Sequence, residues 1–165
     1  MKENVVNPQV AVADKKNEPL LNQFSIQPVG PEHEEEIKNL LRAEKLPTED
    51  LASPLSNFFV AIDKGIVIGS IGLEFFQTNG LLRSLVVKTG YRNLKIAAAL
   101  IDKVEEQGRV LGIKSLYLLT ETARDYFIRK GYASINRSEA PVSISQTSEF
   151  THVCPSGAFL MIKNL

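Results

Sequence analysis

The chain has 165 residues and a mass of 18.3 kDa, which is enough for one domain with one hydrophobic core and excludes a second catalytic domain. Hydrophobic residues make up 44% and charged residues 23%, a balance that excludes a disordered or fibrous protein. Lys plus Arg and Asp plus Glu both total 19, so the overall charge attracts neither nucleic acid nor an anionic membrane.

The single cysteine, Cys154, excludes an internal disulfide and a multi-cysteine metal site, and it favours a reducing compartment. Residues 1–22 have neither a helical nor a strand period, so we expect a mobile tail followed by one domain over residues 23–165. No apolar run is long enough for a signal peptide or a membrane span. We therefore expect a soluble, unprocessed protein of the cytosol.

The first half of the domain is predicted to contain a strand, a helix and three antiparallel strands. Residues 24–29 alternate like a strand, and Pro31 with the glutamates after it marks a helix start. Apolar and β-branched runs predict strands over residues 57–62, 66–76 and 81–87. Asn79-Gly80 is a typical hairpin pair and is predicted to form the turn between the last two strands.

The second half is predicted to alternate helices and strands. Apolar residues at helical spacing predict a long helix over residues 94–111, with Gly112 suited to its end. Thr120 or Thr122 can cap a helix that runs to Lys130. Strands are expected over residues 114–119, 132–135 and 158–162, and a short helix within residues 141–150.

The corner between strand 81–87 and the long helix combines basic residues with free backbone amides, which attract phosphate. It reads Lys88-Thr89-Gly90-Tyr91-Arg92-Asn93-Leu94-Lys95-Ile96-Ala97. Taken alone, the same pattern also fits an ordinary solvated loop.

The order of elements together with this corner resembles the GNAT superfamily of acyl-CoA N-acyltransferases over about residues 24–163. That family's corner reads Q/R-x-x-G-x-G/A, and residues 92–97 match its first and last positions, with Lys95 at the central glycine. Residues 123–132 resemble a second signature, A-x-x-F/L-Y-x-x-x-G-F/Y, in which Phe127 replaces the tyrosine that protonates the departing thiolate. Tyr126 is expected on another side of that helix, packed in the core.

Three blocks are similar to the branch of the superfamily found in arsenic-resistance operons. They are residues 69–74, 81–87 and 149–156. The resemblance implies a detoxifying or metabolite acetyltransferase. One thiol cannot form the multi-thiolate cage that trivalent arsenic favours, so Cys154 is not interpreted as a metalloid trap.

The resemblance implies an α/β (α+β) fold whose mixed, mostly antiparallel sheet of six or seven strands is flanked by helices. It also implies acetyl-CoA as co-substrate, without a metal, in a V-shaped opening where strand 81–87 parts from strand 114–119. The implied cofactor-binding residues are Leu85, Val86, Val87, Arg92, Asn93, Leu94, Lys95, Ile96, Ala97, Thr120 and Phe127.

Glu74 is the candidate base for the attacking amine and also a candidate substrate residue, because it closes a mostly apolar strand that faces the proposed opening. A solvated or paired glutamate remains the alternative. Arg83 is predicted either to bind an anionic group of the substrate or to pair across the sheet. Cys154 and His152 would share a face in an extended segment, which suggests a nucleophile, but no third orienting residue is evident.

The sequence thus predicts transfer of an acetyl group from acetyl-CoA to the primary amine of a small molecule, with a role in detoxification or resistance. Lys95 and Phe127 also fit a catalytically silent acyl-CoA-binding regulatory module. A third alternative is an interaction protein that binds no CoA. Neither nucleic acid nor a membrane is expected as a partner, and a homodimer through the region after Ile135 is left open.

Overall fold

A seven-stranded mixed sheet organises residues 24–165, the part of the chain that the computed structural model describes. In sheet order, the strands are β1 (Ser25–Pro28), β2 (Phe58–Asp63), β3 (Ile66–Phe76), β4 (Asn79–Val87), β5 (Ser115–Thr120), β7 (Phe159–Asn164) and β6 (Ala133–Ile135). Among these seven strands of residues 24–165, β4 and β5 form the only parallel pair. The predicted mixed, mostly antiparallel sheet is therefore confirmed, while the tail expected over residues 1–22 lies outside the described residues.

Four α-helices connect the strands within the described part of the chain. They are α1 (Glu34–Ala43), α2 (Ile96–Val110), α3 (Arg124–Arg129) and α4 (Val142–Ser145). The long helix α2 begins two residues later than predicted, because Lys95 has a left-handed backbone (φ 61°) that cannot continue a helix. The short helix predicted within residues 141–150 is α4, followed by a π-helical turn at Glu149–Val153. No helix of residues 24–165 is long and apolar enough to span a membrane.

Helices α1 and α2 cover opposite faces of the sheet. Successive residues of a strand point to opposite faces, and β2 shows the consequence. Phe58 packs in the same core as Ile37 of α1, whereas Phe59 packs in the core of Leu100 from α2. With both faces covered, a site that needs free backbone has to lie where neighbouring strands separate.

A β-bulge in β4 produces such a separation. Ser70 pairs with Val86 and Gly72 with Arg83, so two residues of β4 stand opposite one residue of β3. Ser84 in the bulge has φ 54°. The register of β4 with β5 runs from Asn79 only to the Leu81–Tyr117 pair, although both strands continue. The predicted V-shaped opening between these strands is thus present.

The Asn79-Gly80 pair does not form the predicted turn. Gln77, with φ 55°, and Thr78 make the turn between β3 and β4, two residues earlier. Gly80 lies within β4 instead, where a Cβ atom would meet a methyl group of Leu116 at 2.7 Å. The glycine therefore serves the close approach of β4 and β5 at the point where the opening begins.

Replacing Gly80 by alanine should destabilise the domain by about 1–3 kcal/mol, because the added methyl overpacks this junction. The measurement is the free energy of unfolding in urea. Gly90→Ala is the matched control, since a Cβ atom there meets nothing within 4 Å and the φ angle is not positive. Equal unfolding free energies for the two variants would contradict the packing role of Gly80.

Candidate active site

The end of β4 presents to the opening backbone groups that β5 does not pair. The amide of Lys88 donates to the carbonyl of Ile68 on β3 at 2.8 Å. Because N–H and C=O groups alternate sides along a strand, those of Val86 also face β3, and those of Leu85 and Val87 face away from it. The Val87 carbonyl accepts a long hydrogen bond from Nε of Arg92 (3.4 Å).

A row of backbone N–H groups at the start of α2 is also free. Within residues 24–165, the amides of residues 93–98 donate to no protein group. The first amide of this helix with a partner is that of Ala99, which donates to the carbonyl of Lys95 at 3.0 Å. A helix start with free N–H groups and a positive dipole end binds anions, phosphate above all.

Lys95 holds the backbone conformation that the missing family glycine would favour. Its φ of 61° and ψ of 13° lie in the left-handed region. Its side chain is exposed and forms no ion pair within residues 24–165. Replacement of the glycine therefore keeps the shape of the loop and adds a cation at its edge.

These elements line a cavity of about 600 Å³, here called the corner groove. Eight of the eleven predicted cofactor-binding residues line it: Leu85, Val86, Val87, Arg92, Asn93, Lys95, Ile96 and Ala97. Leu94 does not line it and is 52% exposed. Lys130 and Tyr126 of the α3 region complete its wall. Lys130 was not predicted at the site, and Tyr126 was expected in the core, because their part in the site depends on how α3 docks.

Arg92 is tied to the end of α1. Its Nη2 pairs with Oε2 of Glu44, and the hydroxyl of Thr89 donates to Oε1 of the same carboxylate at 2.8 Å. Glu44 lies just after α1, and the sequence patterns did not predict its contact with Arg92. Arg92 thus stands at the corner groove with one carboxylate already beside it.

A second cavity of about 500 Å³, here called the inner cleft, adjoins the corner groove between β4 and β5. The two share Leu85, Ala123 and Tyr126. The buried residues of the inner cleft are Leu82, Arg83, Leu118, Phe127 and Glu149, and Lys45 and Glu121 are among its exposed residues. Its floor is therefore apolar apart from one guanidinium and one carboxylate.

Arg83 is surrounded by carboxylates. Nη1 donates to Asp50 (2.7 Å) and Glu74 (2.5 Å), and Nη2 donates to the other oxygen of Asp50 (2.7 Å). Nη2 also lies 3.0 Å from Oε2 of Glu149, and Nε donates to Ser84. Burial alone would lower the pKa of Arg83, but the three carboxylates raise it above its usual range. The geometry agrees with the predicted pairing across the sheet and leaves Arg83 poorly placed for a substrate anion.

Glu74 lies on the other side of Arg83 from the inner cleft. It lines a separate depression together with Asp50 and Pro54, and its carboxylate binds Arg83. Its role as base stays a prediction, but it does not border the opening as the sequence suggested. Glu149 is the glutamate on the cleft floor. No local pattern predicts a role for it, because its contact with Arg83 of β4 joins segments that are far apart in the chain.

Cys154 donates to Oε1 of Glu149 across 3.4 Å. Burial, and then the negative charge of Glu149, raise the pKa of the Cys154 thiol to about 12. The thiol is therefore protonated at neutral pH and unsuited to nucleophilic attack. His152 lies in the π-helical turn and lines a different surface pocket, so the extended geometry assumed for this pair is wrong.

Tyr126 packs against the main core, as expected, but only in part, because it also lies where the two cavities meet. It is half-buried, and its hydroxyl forms no hydrogen bond within residues 24–165. Burial, followed by the charge of Asp102, raises its pKa, so the hydroxyl keeps its proton at neutral pH. Phe127 is 4% exposed and its ring contacts Tyr126 edge to face at 5.5 Å.

Thr120 closes the far end of β5. Its hydroxyl accepts a hydrogen bond from the amide of Ala123 at 3.0 Å and so supports the turn before α3. It borders the inner cleft rather than the corner groove, as does Phe127. No group of three or more His, Cys, Asp or Glu side chains in residues 24–165 could hold a metal ion.

Many solved structures have a similar fold, and two of them illustrate it. The N-acetylglutamate synthase from Neisseria gonorrhoeae, complexed with coenzyme A and N-acetyl-glutamate, gives a TM-score of 0.76 at 18% identity, covering 86% of this chain and 35% of that chain. A Mycobacterium tuberculosis protein in complex with CoA and NLQ gives 0.74 at 21% identity, covering 86% of this chain and 99% of that chain. The architecture is therefore that of the acyl-CoA N-acyltransferases.

Sequence comparison gives the family. An uncharacterized N-acetyltransferase of Chlorobaculum tepidum is 32% identical over 101 residues, and the match covers 61% of this chain and 64% of that protein. An amino-acid acetyltransferase of Aeromonas salmonicida is 26% identical over 96 residues, 57% of this chain and 22% of that protein. The sequence model of the acetyltransferase (GNAT) family matches residues 19–132, more than half of the chain. The chain therefore belongs to the GNAT acetyltransferase family.

Proposed function

We propose that the chain transfers an acetyl group from acetyl-CoA to the primary amine of a small molecule. The observation that carries the proposal is the row of unpaired amides over residues 93–98 beside an opening in the sheet. Structural neighbours that are described as complexes with coenzyme A support the choice of ligand. Acetyl-CoA supplies the thioester that the amine attacks.

The corner groove suits the diphosphate of such a ligand. Free amides at a helix start bind phosphate oxygens without needing a side chain. Arg92, Lys95 and Lys130 add positive charge on the same cavity, and Glu44 must share Arg92 with the bound phosphate. An anionic tail therefore finds both directional donors and compensating charge.

The end of β4 suits the amide-bearing arm that links the diphosphate to the thioester. The backbone groups of Leu85 and Val87 face away from β3, so the arm can pair with them as an added strand. The Val87 amide can then donate to the thioester oxygen as it gains negative charge in the transition state. Holding thioester and amine together supplies much of the rate increase.

Tyr126 is the candidate acid for the departing thiolate. It stands between the corner groove and the inner cleft and is protonated at neutral pH. Phe127, at the family's tyrosine position, has no proton to give, so Tyr126 would replace it from the preceding position. A catalytically silent acyl-CoA-binding module is the second candidate function, and the replacement at Phe127 is the observation that favours it.

The role in detoxification or resistance, including the link to arsenic-resistance operons, stays a prediction. The cytosolic location and a homodimer through the region after Ile135 stay predictions as well. Thiol release from acetyl-CoA with a panel of primary amines separates the transferase from the silent module. A silent module would bind acetyl-CoA and release no thiol with any amine.

The variant Ala97→Asp tests the phosphate site. A carboxylate in the first turn of α2 repels the diphosphate, and it also stabilises the helix, so folding should be retained. We expect the Kd for acetyl-CoA, measured by calorimetry, to rise about tenfold or more, in line with loss of a charge-assisted contact.

Ala99→Asp is the control for this variant, because it adds the same charge at a residue that does not line the corner groove. Its Kd for acetyl-CoA should stay close to that of the original protein. An unchanged Kd in Ala97→Asp, or an equal rise in both variants, would contradict diphosphate binding at this helix start.

The variant Tyr126→Phe tests the proton donor. Loss of a general acid should lower kcat by about 10²-fold while the Kd for acetyl-CoA stays constant. Stopped-flow detection of the released thiol measures the rate. Tyr117→Phe is the control, since Tyr117 is buried in another core cluster and borders neither cavity. Equal rates for the two variants would remove Tyr126 from the mechanism.

A further inference from the structure

We propose that Glu149 is the base that takes the proton of the acceptor, and that the acceptor is a primary amine whose amine-bearing carbon carries no carboxylate. This inference rests on the proposed function, because it names the acceptor class for the same site. It goes beyond that function in two ways. It assigns proton removal to a residue of the inner cleft, and it infers that the charges of this cleft discriminate between acceptors with and without a carboxylate.

Glu149 is the ionisable acid on the floor of the inner cleft. The residue is only 9% exposed, and the cleft it borders shares Leu85 and Tyr126 with the corner groove. An amine on this floor therefore lies between a carboxylate and the backbone of β4 that holds the thioester. A base must lie within hydrogen-bond reach of the proton it removes, and the cleft floor provides that position.

The other glutamates near the site are less suited. Glu74 lines the depression on the far side of Arg83. Glu44 also lines the inner cleft, but it is less buried than Glu149 and pairs with Arg92 of the corner groove. Glu121 is exposed at the cleft, where water competes for its charge. Of the four glutamates Glu44, Glu74, Glu121 and Glu149, only Glu149 is both buried and on the floor of the inner cleft.

The charges around the floor favour a cation over an anion. One guanidinium, that of Arg83, faces the three carboxylates of Asp50, Glu74 and Glu149. With all four groups ionised, the sum is one positive and three negative charges, a net charge of −2. An ammonium group entering the cleft is attracted, whereas a carboxylate on the same carbon would meet Glu149 beside a guanidinium that already pairs with three carboxylates.

Lys45 lies at the exposed part of the inner cleft, on the loop after α1. A negative group of the acceptor could therefore be accommodated only away from the reacting amine. The inner cleft thus favours simple or polycationic primary amines over α-amino acids.

Burial raises the pKa of the Glu149 carboxyl, while Arg83 and the Cys154 thiol act in the opposite direction. Glu149 and Cys154 face each other. The other charged groups that face this pair are Arg83 from β4, Glu74 from β3, Asp50 before β2 and Arg137 after β6. A raised pKa brings the carboxylate closer to the pKa of an ammonium group and makes it a better proton acceptor. Activity should therefore fall as the pH drops through this raised pKa.

The proposed step is balanced in protons and electrons. The ammonium group of the acceptor gives one proton to Glu149, and the free amine attacks the thioester carbonyl carbon. The new C–N bond forms, the C–S bond breaks, and the thiolate takes a proton from Tyr126. The second amine proton passes, through solvent, to the Tyr126 phenolate, which leaves the neutral amide and restores Tyr126. Glu149 then releases its proton to solvent and returns to the carboxylate.

The first test compares Glu149→Gln with Glu74→Gln. Both variants remove one negative charge from the group around Arg83, but only Glu149 borders the inner cleft. We expect kcat/KM for pentylamine to fall about 10²–10³-fold in Glu149→Gln and less than about fivefold in Glu74→Gln. The Kd for acetyl-CoA should change less than about twofold in both, because neither residue lines the corner groove.

The pH profile separates a base from a purely structural residue. In the original protein, kcat/KM should fall at low pH with an apparent pKa above the usual glutamate value. In Glu149→Gln this fall of kcat/KM at low pH should disappear. The difference in kcat/KM between the variant and the original protein should shrink as rising pH supplies free amine. The profile of the original protein keeps the proposal testable even if Glu149→Gln does not fold.

The second test compares pentylamine with norleucine, which differ only by the carboxylate on the amine-bearing carbon. We expect the original protein to prefer pentylamine by at least about tenfold in kcat/KM, and Glu149→Gln to narrow that preference. Preference for norleucine would overturn the acceptor class. A larger loss in Glu74→Gln than in Glu149→Gln would overturn the assignment of the base.

These outcomes differ from failure of the proposed function. If the original protein binds acetyl-CoA and acetylates an amine, but Glu149→Gln has the same rate and pH profile, only the present inference is wrong. If the original protein neither binds acetyl-CoA nor releases thiol with any amine, the proposed function fails and this inference fails with it.

Discussion

The parting of β4 from β5 is the constraint on which the site depends. A strand inside a sheet normally pairs its backbone groups with both neighbours, but here the pairing of β4 with β5 ends at Leu81 and Tyr117 while both strands continue. The bulge at Ser84 bends β4 away, and Gly80 lets the strands approach closely before they separate. The result is a stretch of strand backbone with open hydrogen-bonding groups inside a covered sheet. Such a stretch can bind an extended ligand without exposing a free edge to other chains.

Charge is arranged differently in the two cavities beside this opening. The corner groove has free amides and the cations Arg92, Lys95 and Lys130, which suit an anionic tail. On the floor of the inner cleft, Arg83 forms ion pairs with three carboxylates, one of which is that of Glu149. This arrangement suits a cationic acceptor. In the proposed mechanism, these opposite charge preferences would hold acetyl-CoA and the acceptor amine in different cavities, which meet at the residues that both cavities share. Arg83 also joins β4 to the loop before β2 and to the π-helical turn, so the acidic side of the cleft is fixed by buried ion pairs.

Local patterns predicted most of the elements, and the misplacements have physical causes. The Asn79-Gly80 pair indicated a hairpin correctly, but the glycine lies within β4, where it packs against Leu116. The expected helix start at residue 94 moves to Ile96 because Lys95 has a left-handed backbone. Tyr126 was assigned to the core because burial tendency describes an average tyrosine, and it packs there in part, but the docking of α3 also places it between two cavities.

The sequence by itself determined the class of fold, the order of its elements and the corner that carries unpaired amides, because these depend on periodicity, turn chemistry and contiguous motifs. Only the tertiary structure decided which acids reach the opening. Glu74 and Glu149 are far apart in the chain, yet both contact Arg83 from different sides. Whether a carboxylate faces a cleft or a separate depression depends on contacts between distant segments, and no local pattern contains that information.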